Sequence, residues 1–314
     1  MGRSREVRDL DSVVFDCDGV LIDVSRSYDL AIKRTVEFVT EKLGGFRVQP
    51  VTTEMIDSFK RTGGFNDEVD VTYALIIAAA ASQKMGGVFQ EMVNEFASNA
   101  DETGIRSVDR HLETLTLDLS GIKEKMSYPA RRFESPLSSV FDELFYGQEL
   151  YEKLYKKSPK YFWGKGLIEN DLVLVTREFL EAMHQRFGAK IAIVSGRGAV
   201  SASYSLKELF HEFDLEHSRF LEDEPREMAK PNPVPLLSAI RGMGATCSLY
   251  VGDSMEDLMM ARKARQSGSN AIFCGIYGTS KDHQSKLAFF EREGADIVLE
   301  SVGLLPKTLN LVGA

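Results

Sequence analysis

The chain has 314 residues, 43% of them hydrophobic and 27% charged, with a formal net charge of −9 at pH 7. That length allows two domains, or one domain with an insert, and needs no disulfide or metal staple to bury a core. The ordinary composition excludes disorder, collagen and coiled coil as whole-chain readings, and the acidic balance argues against a broad nucleic-acid surface.

The opening MGRSREVRDLDS is charged and has no apolar core, so no secretory signal is expected. Val13-Val14-Phe15 is a short apolar run that meets Asp16-Cys17-Asp18-Gly19, the pattern of a buried parallel strand entering a turn. Ser25 or Ser27 can cap a helix that carries Ile32, Val36, Val39 and Leu43 on one face, and Gly44-Gly45 stops it. Further helices are predicted near 68–84, 87–97 and 137–157, whereas 99–135 is polar and poorly periodic and is assigned no element. Trp163, beside Tyr161-Phe162, is read as a packing residue.

From about 170 the pattern changes. Asn170 is expected to cap a helix with Leu174, Phe179, Met183 and Phe187 on its apolar face, ended by Gly188. Strands follow at 190–194, 248–251, 271–274 and 296–299, with a weaker one near 218–221. Strands alternating with helices imply a parallel sheet covered on both faces. The expected fold is therefore α/β, a doubly wound Rossmann-like core with a large helical insert. The expected division is 1–23 with 170–314 as core and 24–169 as insert.

Cys17, Cys247 and Cys274 form no CxxC pair and read as buried free thiols of a reducing compartment. His111, His184, His211, His217 and His283 form no metal-ligand pattern. The longest apolar stretch, Tyr73 to Ala81, is about half of what a bilayer crossing needs. A cytoplasmic protein with no membrane and no nucleic-acid partner is expected. Arg131-Arg132 and Lys156-Lys157 read as solvated pairs.

Ligands of open α/β sheets sit beyond the carboxyl ends of the strands. Asp16 and Asp18, Ser195, and Asp253 with Asp257 all stand at such ends. Any one of them could be a helix N-cap, but two carboxylates bracketing Cys17 would repel unless a cation intervenes. Four carboxylates near one point favour a hard divalent ion, Mg²⁺ above all. Lys230, before Pro231, adds a positive charge. Carboxylate, metal, hydroxyl and lysine together suit phosphoryl transfer.

Phe15-Asp16-Cys17-Asp18-Gly19-Val20-Leu21, then Ser195-Gly196-Arg197, Lys230-Pro231 and Gly252-Asp253-Ser254-Met255-Glu256-Asp257 resemble the four ordered motifs of the haloacid dehalogenase superfamily. The insert after the first motif resembles the helical cap of its phosphoglycolate-phosphatase-like branch. The resemblance implies that Asp16 is nucleophile and metal ligand. It implies that Asp18 protonates the leaving oxygen and then activates water, with its backbone carbonyl on the metal. It gives Ser195, Gly196 and Lys230 to the phosphoryl group and Asp253 to Mg²⁺. Asp257 would be a ligand or a supporting partner, with Glu256 as the alternative. A Mg²⁺-dependent phosphatase of a small phosphorylated metabolite follows, working through an aspartyl phosphate. A phosphomutase, a receiver-like signalling module and an inactive binding protein are the competing readings. Lys60 and Arg61, in a Gly-flanked loop of the insert, are candidate substrate-recognition residues.

Overall fold

The computed structural model describes residues 8–65, 67–130, 134–280 and 282–311; Arg131-Arg132 lie outside them. The chain divides into two units, Met1–Val24 with Asp171–Ala314, and Ser25–Asn170.

The first unit is built on strands β1 (Ser12–Phe15), β4 (Ile191–Ser195), β5 (Arg219–Phe220), β6 (Ser248–Gly252), β7 (Ala271–Ile276) and β8 (Ile297–Leu299). They form one sheet in the order β5-β4-β1-β6-β7-β8, every neighbouring pair parallel. Side chains alternate across a strand, so each strand feeds two cores. Val13, Phe15, Ile191, Ile193, Leu249 and Val251 join one buried cluster with Phe179, Leu180 and Met183 of α8 (Arg177–Phe187). Val14, Ala192, Val194 and Tyr250 face the other, with Leu236 and Ile240 of α10 (Val234–Gly242) and Leu258 and Met260 of α11 (Met255–Gln266). This is the expected doubly wound sheet. Helices α9 (Ala199–Leu206), α12 (His283–Arg292) and α13 (Leu305–Thr308) complete the unit. A two-stranded ribbon pairs β2 (Ile22–Asp23) antiparallel with β3 (Leu172–Val173).

That ribbon corrects one expectation. Leu174 does not sit on a helix capped by Asn170. The chain first pairs with β2, and Thr176 then caps α8 by accepting from the Phe179 amide at 3.3 Å. Pairing with a distant strand is a tertiary preference that local periodicity does not show.

The inserted unit is helical: α1 (Tyr28–Phe38), α2 (Thr53–Lys60), α3 (Glu68–Met85), α4 (Phe89–Ser98), α5 (Ile105–Thr114), α6 (Ser120–Met126) and α7 (Pro136–Tyr155). α3 is buried on every side from Val69 to Ser82, the mark of a central helix. Tyr28 stacks on Phe145 of α7 with ring centroids 4.3 Å apart. Ser27 occupies the N-cap position of α1 but makes no side-chain cap bond, and Gly45, in the left-handed region, ends the helical run. The unassigned 99–135 region holds α5 and α6, whose Ile105, Val108, Leu112, Ile122 and Met126 are buried. Trp163 is 62% exposed, so it is not a packing residue. Among the described residues, no helix is long and apolar enough to cross a membrane.

Candidate active site

Phe15 lies opposite Ile193 of β4 and Val251 of β6, so the residues following all three strands meet at one sheet edge. Asp16 is the first residue past β1. Its amide donates to the Val251 carbonyl at 2.8 Å, which pins it to the neighbouring strand. Its carboxylate Oδ1 accepts from the Cys17 amide at 2.7 Å and lies 2.8 Å from Lys230 Nζ. The same ammonium is 2.7 Å from Asp257 Oδ1. Lys230 is thus clamped between two carboxylates, with its side chain only 7% exposed.

Asp257 spends both oxygens on scaffold. Oδ1 meets Lys230 and accepts from the Tyr250 hydroxyl at 2.6 Å. Oδ2 accepts from the amides of Asp253 and Ser254, at 3.1 and 3.0 Å, and from the Ser254 hydroxyl at 2.7 Å. Ser254 is the N-cap of α11 and Asp257 its third helical residue, which makes a reciprocal capping box. The spacing that puts Asp257 near Asp253 is therefore a helix start.

Asp253 is placed by the same turn. Its Oδ2 lies 2.7 Å from Lys286 Nζ on α12. Gly19 approaches from the loop after β1: its φ is +75°, and a Cβ there would overlap the Asp253 carboxyl. Only glycine fits both demands. Carboxylate oxygens of Asp16, Asp253 and Asp257 all lie within 4.8 Å of one another, a candidate metal centre.

The electrostatics match that packing. Burial pushes Asp16 up to about 8; the Lys230 ammonium opposes this, while Asp257, Asp253 and Asp18 add to it. Burial also pushes on Asp257, yet Lys230 and the hydrogen bonds from Lys230, Tyr250 and Ser254 hold it below the ordinary range. Burial disfavours the Lys230 charge, but Asp16 and Asp257 raise it above its usual value. Glu256, the alternative to Asp257, is buried and pushed up to about 7 by that burial; it is not part of the carboxylate cluster.

The Asp18 carboxylate is not one of the three clustered groups. Its Oδ1 lies 2.9 Å from Nε of Arg197, whose side chain is fully buried. Arg197 reaches Asp171 Oδ2 at 2.8 Å as well. Ser195 is buried, and its hydroxyl accepts from the Arg197 amide at 3.3 Å. Gly196 is exposed. The next donors at the start of α9 already have acceptors: the Gly198 amide meets Glu222 at 3.0 Å and the Ala199 amide meets Asp223 at 2.8 Å. In the inserted unit, Lys60 ends α2 and its ammonium pairs with Glu68 at 3.3 Å, while Arg61 is exposed.

A family model of haloacid dehalogenase-like hydrolases matches residues 10–265. The chain belongs to the haloacid dehalogenase-like hydrolases. It is similar in fold to the phosphatase Tt82 from Thermococcus thioreducens, with a TM-score of 0.59 at 24% identity, covering 90% of this chain and 99% of that one. It is also similar to a Bacteroides fragilis protein described as a haloacid dehalogenase-like hydrolase, with a TM-score of 0.52 at 18% identity, covering 94% and 99%. In sequence it is 26% identical over 293 residues to an imidazoleglycerol-phosphate dehydratase of Phytophthora nicotianae. That match covers 92% of this chain but spans about half the length of the relative, 50%.

The family match spans all three clustered carboxylates. Lys286 of this hydrolase falls beyond it, and no sequence motif marks it. Tyr250 was legible only as an apolar strand residue. Asp171 and Arg197 carried no sign of their pairing, because 26 residues separate them.

Proposed function

We propose that this hydrolase is a Mg²⁺-dependent phosphatase of a small phosphorylated metabolite, acting through an aspartyl phosphate on Asp16. The observation that carries the reading is the buried Asp16 carboxylate, oriented by the Cys17 amide and Lys230 beside Asp253 and Asp257. Without a further cation this arrangement is strained, as the upward push on Asp16 shows, and its donors are hard oxygens. Asp16 and Asp253, with the Asp18 backbone carbonyl, would hold Mg²⁺, and Asp257 would support them through Lys230 and the α11 turn. When bound, the ion would offset charge on the phosphoryl oxygens.

The chain's own residues do the rest. Asp16 attacks phosphorus, and the bond to the leaving oxygen breaks. Asp18 gives that oxygen a proton. A water then attacks the aspartyl phosphate, gives its proton to Asp18, and releases inorganic phosphate and free Asp16. Lys230 offsets the growing charge, and Ser195 with the Gly196 amide would hold phosphoryl oxygens. An alkoxide needs that proton and a halide does not, so Asp18 favours phosphate esters over carbon–halogen bonds. The helical insert after the first motif favours the phosphoglycolate-phosphatase-like branch. Of the two recognition candidates, Arg61 has the exposed charge, whereas Lys60 already answers Glu68.

The test is phosphate release across phosphorylated sugars, phosphoglycolate, nucleotides and cofactors, with and without Mg²⁺. Release that needs Mg²⁺ and disappears in Asp16→Asn supports the reading. Isomerisation without phosphate release, or full activity after metal removal, overturns it.

A further inference from the structure

We propose that Arg197 is a positioning residue for Asp18: the buried guanidinium holds the carboxyl group in place. The proposal rests on Asp18 being the acid and base of the proposed reaction. Arg197 stands in the turn between β4 and α9. Its side chain is 0% exposed, and a guanidinium keeps its charge when buried, so partners are obligatory. One partner is enough for neutrality. Asp171, 3% exposed, supplies it at 2.8 Å, and the Ser205 hydroxyl completes that corner by accepting from Arg197 Nη1 at 2.8 Å and donating to Asp171 Oδ2 at 2.7 Å. Both of those contacts are on Nη1, and the Nε side of the guanidinium faces the Asp18 carboxylate.

The loop around Asp18 shows what the contact adds. Its backbone is already fixed: the Gly19 amide donates to the Ile22 carbonyl at 2.8 Å, and Leu21 and Ile22 donate to the Cys17 carbonyl at 2.8 and 2.9 Å. The 2.9 Å approach of Nε to Oδ1, an ionic contact rather than an aligned hydrogen bond, restricts rotation of the Asp18 side chain. Oδ1 has no solvent exposure, while the side chain as a whole keeps 26%. The anchor is also built from three separate places in the chain: the β4–α9 turn, the base of β3, and α9 itself. A group that must meet a leaving oxygen to within about 1 Å benefits from such a frame.

The experiment compares kcat/KM for a nitrophenyl phosphate, which needs little protonation, with that for an alkyl phosphate, in Arg197→Lys, Asp171→Asn and the reference Asp18→Asn, all Mg²⁺-loaded and checked for fold by circular dichroism. This ratio reports formation of the phosphoenzyme, so a slow second step does not mask it. Arg197→Lys is expected to lose about 10- to 100-fold on the alkyl ester and only a few-fold on the aryl ester, and Asp171→Asn to show the same bias more weakly. Inhibition by inorganic phosphate stays unchanged. Equal losses on both esters in Arg197→Lys, while Asp18→Asn remains selective, would overturn the proposal and leave Asp18 as acid. If Asp18→Asn itself shows no bias, the acid assignment fails and this proposal with it. If Arg197→Lys does not fold, Asp171→Asn decides by the same ratio: biased loss supports the proposal, and even loss or no loss overturns it.

Discussion

Replacing the proposed nucleophile should make the metal-free protein more stable. Asp16 is 8% exposed on its side chain and crowded by three other carboxylates. Burial first, and then Asp257, Asp253 and Asp18, carry it from 3.8 to about 8, and Lys230 offsets only part of this. Between those two values the folded protein binds a proton that the unfolded chain has released. The fold therefore loses stability as pH rises through that window, at about 1.4 kcal/mol per pH unit. At pH 7 the loss reaches about 4 kcal/mol, and at pH 5 about 2 kcal/mol. Asp16→Asn keeps the oxygen that accepts from the Cys17 amide, and Lys230 keeps Asp257. It sheds the titrating group and so escapes the loss.

The assay is urea unfolding of both proteins in chelator and in saturating Mg²⁺, at pH 5, 7 and 8.5. In chelator the variant should be more stable, with a gap that opens from pH 5 and flattens above about 8. In Mg²⁺ the gap should shrink, because wild type gains about 2.7 kcal/mol at a hundredfold excess over Kd and the variant, one carboxylate short, gains less. Turnover of the variant should be absent throughout. Asp257 is held below the ordinary carboxylate range by Lys230 and its hydrogen bonds, outside the pH span of the assay. A variant less stable than wild type in chelator at pH 7, or a gap that ignores pH, would refute the account of Asp16 as a strained carboxylate.

Lys286→Met removes a cation 2.7 Å from Asp253 and should tighten Mg²⁺ binding by about tenfold in calorimetric titration of the metal-stripped protein; weaker binding would refute this. Gly19→Ala drives a Cβ into the Asp253 carboxyl and should cost at least about 10²-fold in Mg²⁺-dependent turnover with the near-UV spectrum intact. Asp257→Ala strips partners from Lys230, Tyr250 and the α11 turn and should cost about 3–5 kcal/mol in urea unfolding, whereas Asp253→Ala, at a side chain 22% exposed, should cost far less while raising the Mg²⁺ requirement more. Arg61→Ala should lower kcat/KM for the best metabolite found by screening and spare a small aryl phosphate, an imbalance that steady-state kinetics on both substrates would expose.

The sheet and the acids at its edge were legible because both follow from local rules. A strand buried on two faces reads as an apolar run, and Asp16, Ser195 and Asp253 close such runs. The start of α11 was legible too: Ser254 followed three residues later by an acid is a capping signature, and it explains Asp257 better than spacing on a helix face does. The helices α5 and α6 carry apolar residues at helical spacing, at Ile105, Val108 and Leu112, and at Ile122 and Met126, but they are short and interrupted by left-handed residues at Thr116 and Ser127, so the period does not accumulate. Contacts at long range had no local trace. Lys286 reaches Asp253 across 33 residues, and Arg197 reaches Asp171 across 26. Nothing about a lysine on an amphipathic helix, or an arginine after Ser-Gly, distinguishes these from solvated neighbours until the fold brings their partners in.

Those long-range partners also account for the charge of the site. Asp16, Asp18, Asp171, Asp253 and Asp257 stand against Lys230, Arg197 and Lys286 in one linked set. With every group ionised, these five carboxylates outnumber these three cations by two. The cations meet single oxygens of Asp16, Asp18 and Asp253, whereas Asp257 is held through both of its oxygens. The push on Asp16 to about 8 is what the fold does about the excess when no further cation is at hand: a proton on Asp16 removes half of it. A divalent ion would answer that excess and release the proton, so binding of the ion and ionisation of the proposed nucleophile would be one event. In the proposed reaction a phosphate ester dianion entering the metal-loaded set would restore an excess of two. The proposed transfer to Asp16 and hydrolysis would leave that balance with the inorganic phosphate still in place, and its departure would remove the excess. The same charge count that makes Asp16 costly in the metal-free fold would thus weigh against holding either the ester or the product dianion tightly.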